Sequence, residues 1–186
     1  DLVMGNISIL DLQNTDEEID VYLELDSINN TLLKDFLLKY KLQNKNINYL
    51  NKDQTQIKLL KMRTKPTIIV TYIPYNLELK KKGFVELAST KDNLDLLVVD
   101  AMFTKNELLY AHKKQFIELK KLVHKSIQDL QKDPKAFYEI IKLYLNDMSY
   151  DEFRGALDDI IWIDNDLSAD LKSRLNDGKF PTRDLI

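Results

Sequence analysis

Two tyrosines at the end of one apolar run are the residues of this chain best suited to hold a small molecule. Ile68-Ile69-Val70 runs into Thr71-Tyr72-Ile73-Pro74-Tyr75, the pattern of a buried strand that stops at a proline. In open α/β sheets ligands gather outside the carboxyl ends of the strands, so aromatic rings placed there are binding-site candidates. The same rings also suit the bland task of padding a strand-to-helix turn, and the segment by itself leaves both readings open.

Residues able to do covalent or metal chemistry are sparse. The chain has no cysteine, which removes disulfides, thiol nucleophiles and thiolate metal sites together. His112 and His124 are its only histidines, and twelve residues along a helix turn them about 120° apart, too far round to share a metal. His112 falls on an apolar stripe and reads as a packing residue. Asp164, Asp166, Ser168 and Asp170 alternate as in a calcium loop, but Ala169 stands where the sharp turn needs glycine and Leu175 where the bidentate glutamate belongs. With four glycines in all, no Gly-rich phosphate loop occurs. The expectation is a protein that is not an enzyme and carries no cofactor or metal.

Composition sets the class that must position these residues. At 186 residues, 44% hydrophobic and 31% charged, the chain can bury one large or two small cores. Its net charge of -3 is dispersed, which offers no footprint for nucleic acid or an anionic membrane. The one basic triplet, Lys80-Lys81-Lys82, reads as a solvated helix end. No apolar stretch approaches the roughly 20 residues that cross a bilayer, and no signal peptide is present. The sequence opens on Asp1, as a processed or truncated product would, and the lack of cysteine is compatible with an oxidising compartment.

Periodicity places the elements. Ile19, Val21, Leu23 and Leu25 alternate with Asp20, Tyr22 and Glu24, predicting a strand over 19–25 with one buried face. Leu32, Leu33, Phe36, Leu37 and Tyr40 predict a helix over 30–41, capped by Asn30 or Thr31. A strand near Ile47–Leu50, a helix near Asp53–Met62 and a strand over Thr67–Thr71 follow, then strands over Phe84–Leu87 and Leu94–Val99 about the turn Ala88–Asn93. Alternating strands and helices imply βαβ units and a parallel sheet with right-handed crossovers. Beyond Asp100 the pattern is helical: one stripe from Leu108 to Leu130, a break at Asp133-Pro134, a helix carrying Phe137, Ile140, Ile141 and Tyr144, and a capping box at Ser149-Tyr150-Asp151-Glu152. Gly178 can end the last helix near Asn176. The predicted organisation is an α/β lobe over 1–100 and a helical region over 101–186 that packs on that lobe or completes another.

The order of these motifs resembles the later part of a type II periplasmic solute-binding protein, of the group that binds nitrate, sulfonates, taurine or thiamine pyrimidine precursors. The resemblance is carried by Asp11-Leu12, Ile19–Leu25, Ser27-Ile28-Asn29-Asn30, Val70-Thr71-Tyr72-Ile73-Pro74-Tyr75, Lys82-Gly83-Phe84, Ser89-Thr90 and Leu96-Leu97-Val98-Val99, followed by the helices up to Trp162. It implies a lobe of βαβ units around a mixed, mostly parallel sheet, one half of a clamp that closes on a small solute. Ser27, Asn29 and Asn30 would match the strand-to-helix segment whose donors face the ligand, Tyr72 and Tyr75 the aromatic-x-Pro-Tyr stretch, and Ser89 with Thr90 the polar loop on the hinge side. Helix N-termini favour anions, which suits sulfonate, nitrate or carboxylate. The alternatives are that Ser27 and Asn30 only cap a helix and that Ser89 and Thr90 are plain turn residues.

Two departures from the family pattern bear on the ligand. Ile73 stands where glutamate is common before the proline, and Asp26 where glycine is common before the serine. A carboxylate beside an anion site repels the anion unless it caps a donor or faces away, which leaves room for a cationic, zwitterionic or aminopyrimidine ligand. The family's N-terminal βαβα stretch has no counterpart here, so the chain reads as incomplete. Enzymes that make the thiamine pyrimidine share the fold, but no histidine lies in a matching motif. The implied function is solute binding without chemistry for an ABC-type transporter, outside the cytoplasm. Its partners would be a small solute and a membrane permease, with no nucleic acid and no membrane insertion of this chain. The alternative is a sensory or protein-interaction module of the same fold attached to a membrane signalling protein.

Overall fold

The computed structural model describes residues 1–91, 93–96, 98–145, 148–163 and 168–177. The chain divides into two compact units, Asp1–Val98 and Val99–Ile186. The first is α/β and the second helical.

In the first unit, β1 (Leu2–Gly5), β2 (Ile19–Leu23), β3 (Ile47–Asn51), β4 (Thr67–Thr71) and β5 (Val85–Ser89) form one sheet in the order β3-β2-β4-β1-β5. β2 pairs in parallel with β3 and β4, whereas β1 runs antiparallel to both β4 and β5. Four of the five strands therefore point the same way, with β1 reversed among them. The sheet is mixed, because β1 enters it before the alternating β-α-β pattern begins. Of the helices, α1 (Ile9–Asn14) follows β1, α2 (Ile28–Lys39) links β2 to β3, α3 (Gln54–Ile57) links β3 to β4, and α4 (Tyr75–Lys81) links β4 to β5.

Both faces of the sheet are covered. Ile19, Val21, Leu23, Ile68 and Val70 pack with Leu32, Leu33, Phe36 and Leu37 of α2, while Met4, Tyr22 and Ile69 pack on the other face with Ile57, Leu79 and Phe84. Each of these large side chains contributes about 1.5–3 kcal/mol on burial. β2 departs from its expected single buried face, since all five of its residues are buried. Its polar members are matched internally: Asp20 accepts from Asn48 at 2.9 Å and pairs with Lys65 at 2.5 Å, and the Tyr22 hydroxyl accepts from Arg63 at 3.0 Å.

Local turn chemistry closes the elements. α4 ends in a Schellman motif: Gly83 N–H donates to Lys80 O at 3.0 Å and Phe84 N–H to Leu79 O at 3.2 Å. Gly83 has φ +95°, which only glycine adopts freely. α2 ends the same way, with Lys41 at φ 57° in the position that favours glycine. At Gly5 a Cβ would lie 2.7 Å from Leu87 Cδ1, which would have to move aside, and 3.1 Å from the Thr67 backbone oxygen.

Several expectations need correction. Leu94–Val99 is not a strand in its described residues: Asp95 N–H donates to the Asp35 carboxylate of α2 at 3.2 Å instead of to a neighbouring strand, and Leu94 and Leu96 pack on the α2 face. β5 extends to Ser89 and so takes in the start of the predicted turn. The helix expected over 53–62 is the single turn Gln54–Ile57, and α2 starts earlier than predicted because Ser27, not Asn30 or Thr31, is its cap.

The second unit holds α5 (Asn106–Ala111), α6 (Lys113–Lys132), α7 (Pro134–Ile141), a 3-10 turn at Lys142–Tyr144, α8 (Tyr150–Leu157) and α9 (Ala169–Asp177). The stripe from Leu108 to Leu130 is two helices, broken at His112, which is exposed at the junction and is not a packing residue. Asp133 caps α7 through Ala136 N–H, and Ser149 with Glu152 forms the predicted capping box of α8. Tyr138 ties α7 to α8, stacking near Tyr150 and Phe153 and donating its hydroxyl to Met148 O at 2.7 Å. Asp164 and Asp166 of the calcium-like alternation, and Gly178, lie outside the described residues. No described helix is long and apolar enough to cross a membrane.

Candidate functional site

Because β2, β3, β4 and β5 share a direction, their carboxyl ends open on one edge of the sheet. The first residues beyond each strand set that edge: Glu24–Ser27 after β2, Lys52 and Asp53 after β3, Tyr72–Tyr75 after β4, and Thr90 after β5. Between the ends of β2 and β3 lies an open cleft of about 460 Å³, lined by Glu24, Leu25, Asp26, Ser27, Asn51, Lys52, Asp53 and Gln56.

Glu24 organises the cleft. One carboxylate oxygen accepts from Gln54 N–H at 3.0 Å, the first residue of α3, and the other accepts from the Asn29 side-chain amide at 3.5 Å. Gln54 is 2% exposed and turns its own amide toward β4, donating to Val70 O at 3.3 Å and accepting from the Thr71 hydroxyl at 2.8 Å. Three strand ends are thus joined through one buried glutamine. On the rim, the Thr55 hydroxyl and Gln56 N–H hold the Asp53 carboxyl below its ordinary value. Asp26 is exposed there.

Two buried amides on this edge are incompletely used. Asn29 and Asn76, in the first turns of α2 and α4, are 0% and 3% exposed, yet Oδ1 of each lacks a hydrogen-bond partner among the described residues. Buried acceptors without partners are uncommon, and each calls for a donor.

The sequence-derived site residues are distributed along the same edge. Ser27 lines the cleft, but its hydroxyl is committed to the helix cap, donating to Glu24 O at 2.8 Å and accepting from Asn29 N–H at 3.2 Å. Asn30 is half-buried in the next position, with its N–H on Ser27 O. Tyr72 and Tyr75 meet edge to face, 5.4 Å between centroids, across the cis Ile73–Pro74 bond. They stand beside the cleft, not in its lining. Burial, the Glu24 charge and Tyr75 raise the Tyr72 phenol above its ordinary pKa, and Lys58 Nζ lies 5.9 Å from the Tyr75 centroid. Ser89 ends β5 and Thr90 follows it, and β1 separates β5 from β4, so they stand on a strand two spacings, about 10 Å, from the one that leads into the tyrosines. Ser89 is buried with its N–H on Asn93 Oδ1 at 2.7 Å.

Glu24, Gln54, Thr71 and Asn76 were not among the residues singled out from sequence. Their common signal is position: each is the polar residue nearest the carboxyl end of a parallel strand or the start of the following helix. No group of three or more His, Asp or Glu side chains able to hold a metal occurs among the described residues. Compared with protein-family models, curated proteins and solved structures, the chain matches none of them.

Proposed function

We propose that the chain is the solute-binding component of an ABC-type transporter, holding a small molecule at the carboxyl edge of its sheet without transforming it. In this reading it works outside the cytoplasm as one lobe of a type II periplasmic binding fold and hands its solute to a membrane permease. The observation that carries the reading is the edge itself: four codirectional strands end along it, a cleft opens between the ends of β2 and β3, and an aromatic pair follows β4. The resemblance implied a mostly parallel sheet, whereas two of the four strand pairings are parallel and two antiparallel; what still supports the reading is that four of the five strands share a direction.

A thermal-shift panel of sulfonates, taurine, nitrate, aminopyrimidines and organic amines tests it. A ligand at 100 times its Kd adds about 2.7 kcal/mol, which raises the midpoint by several degrees in a chain of this length. The expected result is a shift from at least one class that is diminished in Tyr72→Ala or Tyr75→Ala. Silence across the whole panel contradicts the reading.

A further inference from the structure

A second pocket, of about 240 Å³, lies in the helical unit where the break at Asp133-Pro134 meets the end of α8. Leu130 and Gln131 line it from the last turn of α6, Pro134 from the first turn of α7, Arg154 and Leu157 from α8, and Trp162 from the chain beyond α8. None of these residues belongs to the carboxyl edge of the sheet, so what the pocket holds is independent of the solute-binding reading.

The lining divides by chemistry. Leu130 is buried, Pro134 and Leu157 are half-buried, and Trp162, 39% exposed, adds a large aromatic surface. An apolar cavity of about 150 Å³ is enough to hold benzene, so this pocket has room for a group of that size. The polar members bring donors: Arg154 and the Trp162 indole only donate, and the Gln131 amide does so beside its own oxygen. None of these side chains makes a hydrogen bond among the described residues. Arg154 has an ion pair with Asp158 at 3.8 Å, beyond hydrogen-bond reach. Both partners are half or more exposed, so the pair contributes little and a better-placed carboxylate can displace it.

We propose that this pocket is a site for a small carboxylic acid with an aromatic or branched apolar group. The apolar part sits among Leu130, Pro134, Leu157 and Trp162, and the carboxylate takes the Arg154 guanidinium from Asp158. A guanidinium fork matches a carboxylate in paired hydrogen bonds, which the present ion pair does not make. The acid is either free or the last residue of a peptide, since both present the same chemistry.

Trp162 is the only tryptophan of the chain, so tryptophan emission from the full chain reports on this pocket directly. Titration with phenylacetate changes that emission saturably. Phenylacetamide, alike in shape but uncharged, binds about fivefold more weakly, the worth of one charge pair at contact distance in a water-like medium. Arg154→Gln, at an exposed position, brings phenylacetate down to the affinity of the amide. Asp158→Asn removes the competing carboxylate and tightens binding, with retention of the helices in both variants checked by circular dichroism. Within the proposal, N-acetylphenylalanine binding as well as phenylacetate identifies a peptide terminus, and phenylacetate binding without it a free acid. No saturable change with either acid, equal binding of phenylacetate and its amide, or an unaltered affinity in Arg154→Gln overturns the proposal.

Discussion

Gln54 and Glu24 are joined by a 3.0 Å hydrogen bond from the Gln54 backbone N–H to the carboxylate, which locks the start of α3 to the end of β2. The Gln54 side chain continues the connection into β4 through Val70 O and the Thr71 hydroxyl. This is the stretch of the candidate edge that is most fully held in place.

Replacing Gln54 with leucine keeps the volume but leaves the buried Thr71 hydroxyl without its partner. An unsatisfied buried group of this kind costs about 1–3 kcal/mol. Urea unfolding of Gln54→Leu is expected to show a lower midpoint by that amount at an unchanged slope. An unaltered midpoint would mean that the relay carries no stability.

The pH dependence of stability centres on the opposite edge. Burial opposes the Asp20 charge, but hydrogen bonds from Lys65 and Asn48 and the Lys65 charge outweigh it, so the folded Asp20 pKa lies below its ordinary value. Its contribution is present above the unfolded pKa and is lost as pH falls through the folded one. Lys65 is shifted upward, by hydrogen bonds from its ammonium to Asp20 and then Glu18, so its contribution is present at neutral pH and fades only as alkaline pH passes its folded pKa. Asp20→Asn is expected to flatten the acid limb of a stability-versus-pH curve measured by urea unfolding. A variant with the same acid limb as the parent would show that the pair does not govern it.

The two Schellman turns give a pair of opposed expectations. Gly83→Ala places a Cβ at φ +95° and should lower stability by about 1–2 kcal/mol. Lys41→Gly relieves the same kind of crowding at φ 57° and should raise stability by up to about 1 kcal/mol, partly offset by the freedom glycine adds to the unfolded chain. Equilibrium unfolding of both variants checks the signs.

Tyr72 reports on the charge of the site. Its phenol is shifted upward by burial, then by Glu24 and Tyr75, so it ionises later than a free tyrosine as the pH is raised. Alkaline ultraviolet difference spectroscopy on Tyr72→Phe should lose a late-titrating component, and Glu24→Gln should move that component to lower pH. No movement in Glu24→Gln would place Glu24 too far away to act on the ring.

What the sequence made legible was local. The Ser149-Glu152 capping box, the Asp133-Pro134 break and the Thr67–Thr71 apolar run each carry their signal within a few residues, and each appears in the structure. β1 is four residues long and owes its place to pairing with β4 and β5, more than sixty residues away, which no window of periodicity registers. Leu94 and Leu96 have the apolarity of a strand, yet Asp35 and the α2 surface claim that segment. At the candidate site the tyrosines and Ser27 stood out by type. Gln54, Thr71 and Asn76 did not, because a polar residue earns notice there only once burial is known.

We propose that the carboxyl edge of the sheet binds a small solute. Two-dimensional amide NMR of the labelled chain, titrated in turn with choline, benzamidine, taurine and nitrate, tests it most directly. Shifts are expected to cluster at Glu24–Asn30, Asn51–Gln56 and Tyr72–Asn76, with Asp20 and Lys65 at the far edge unmoved. Perturbations confined to that far edge or to the helical unit would contradict it.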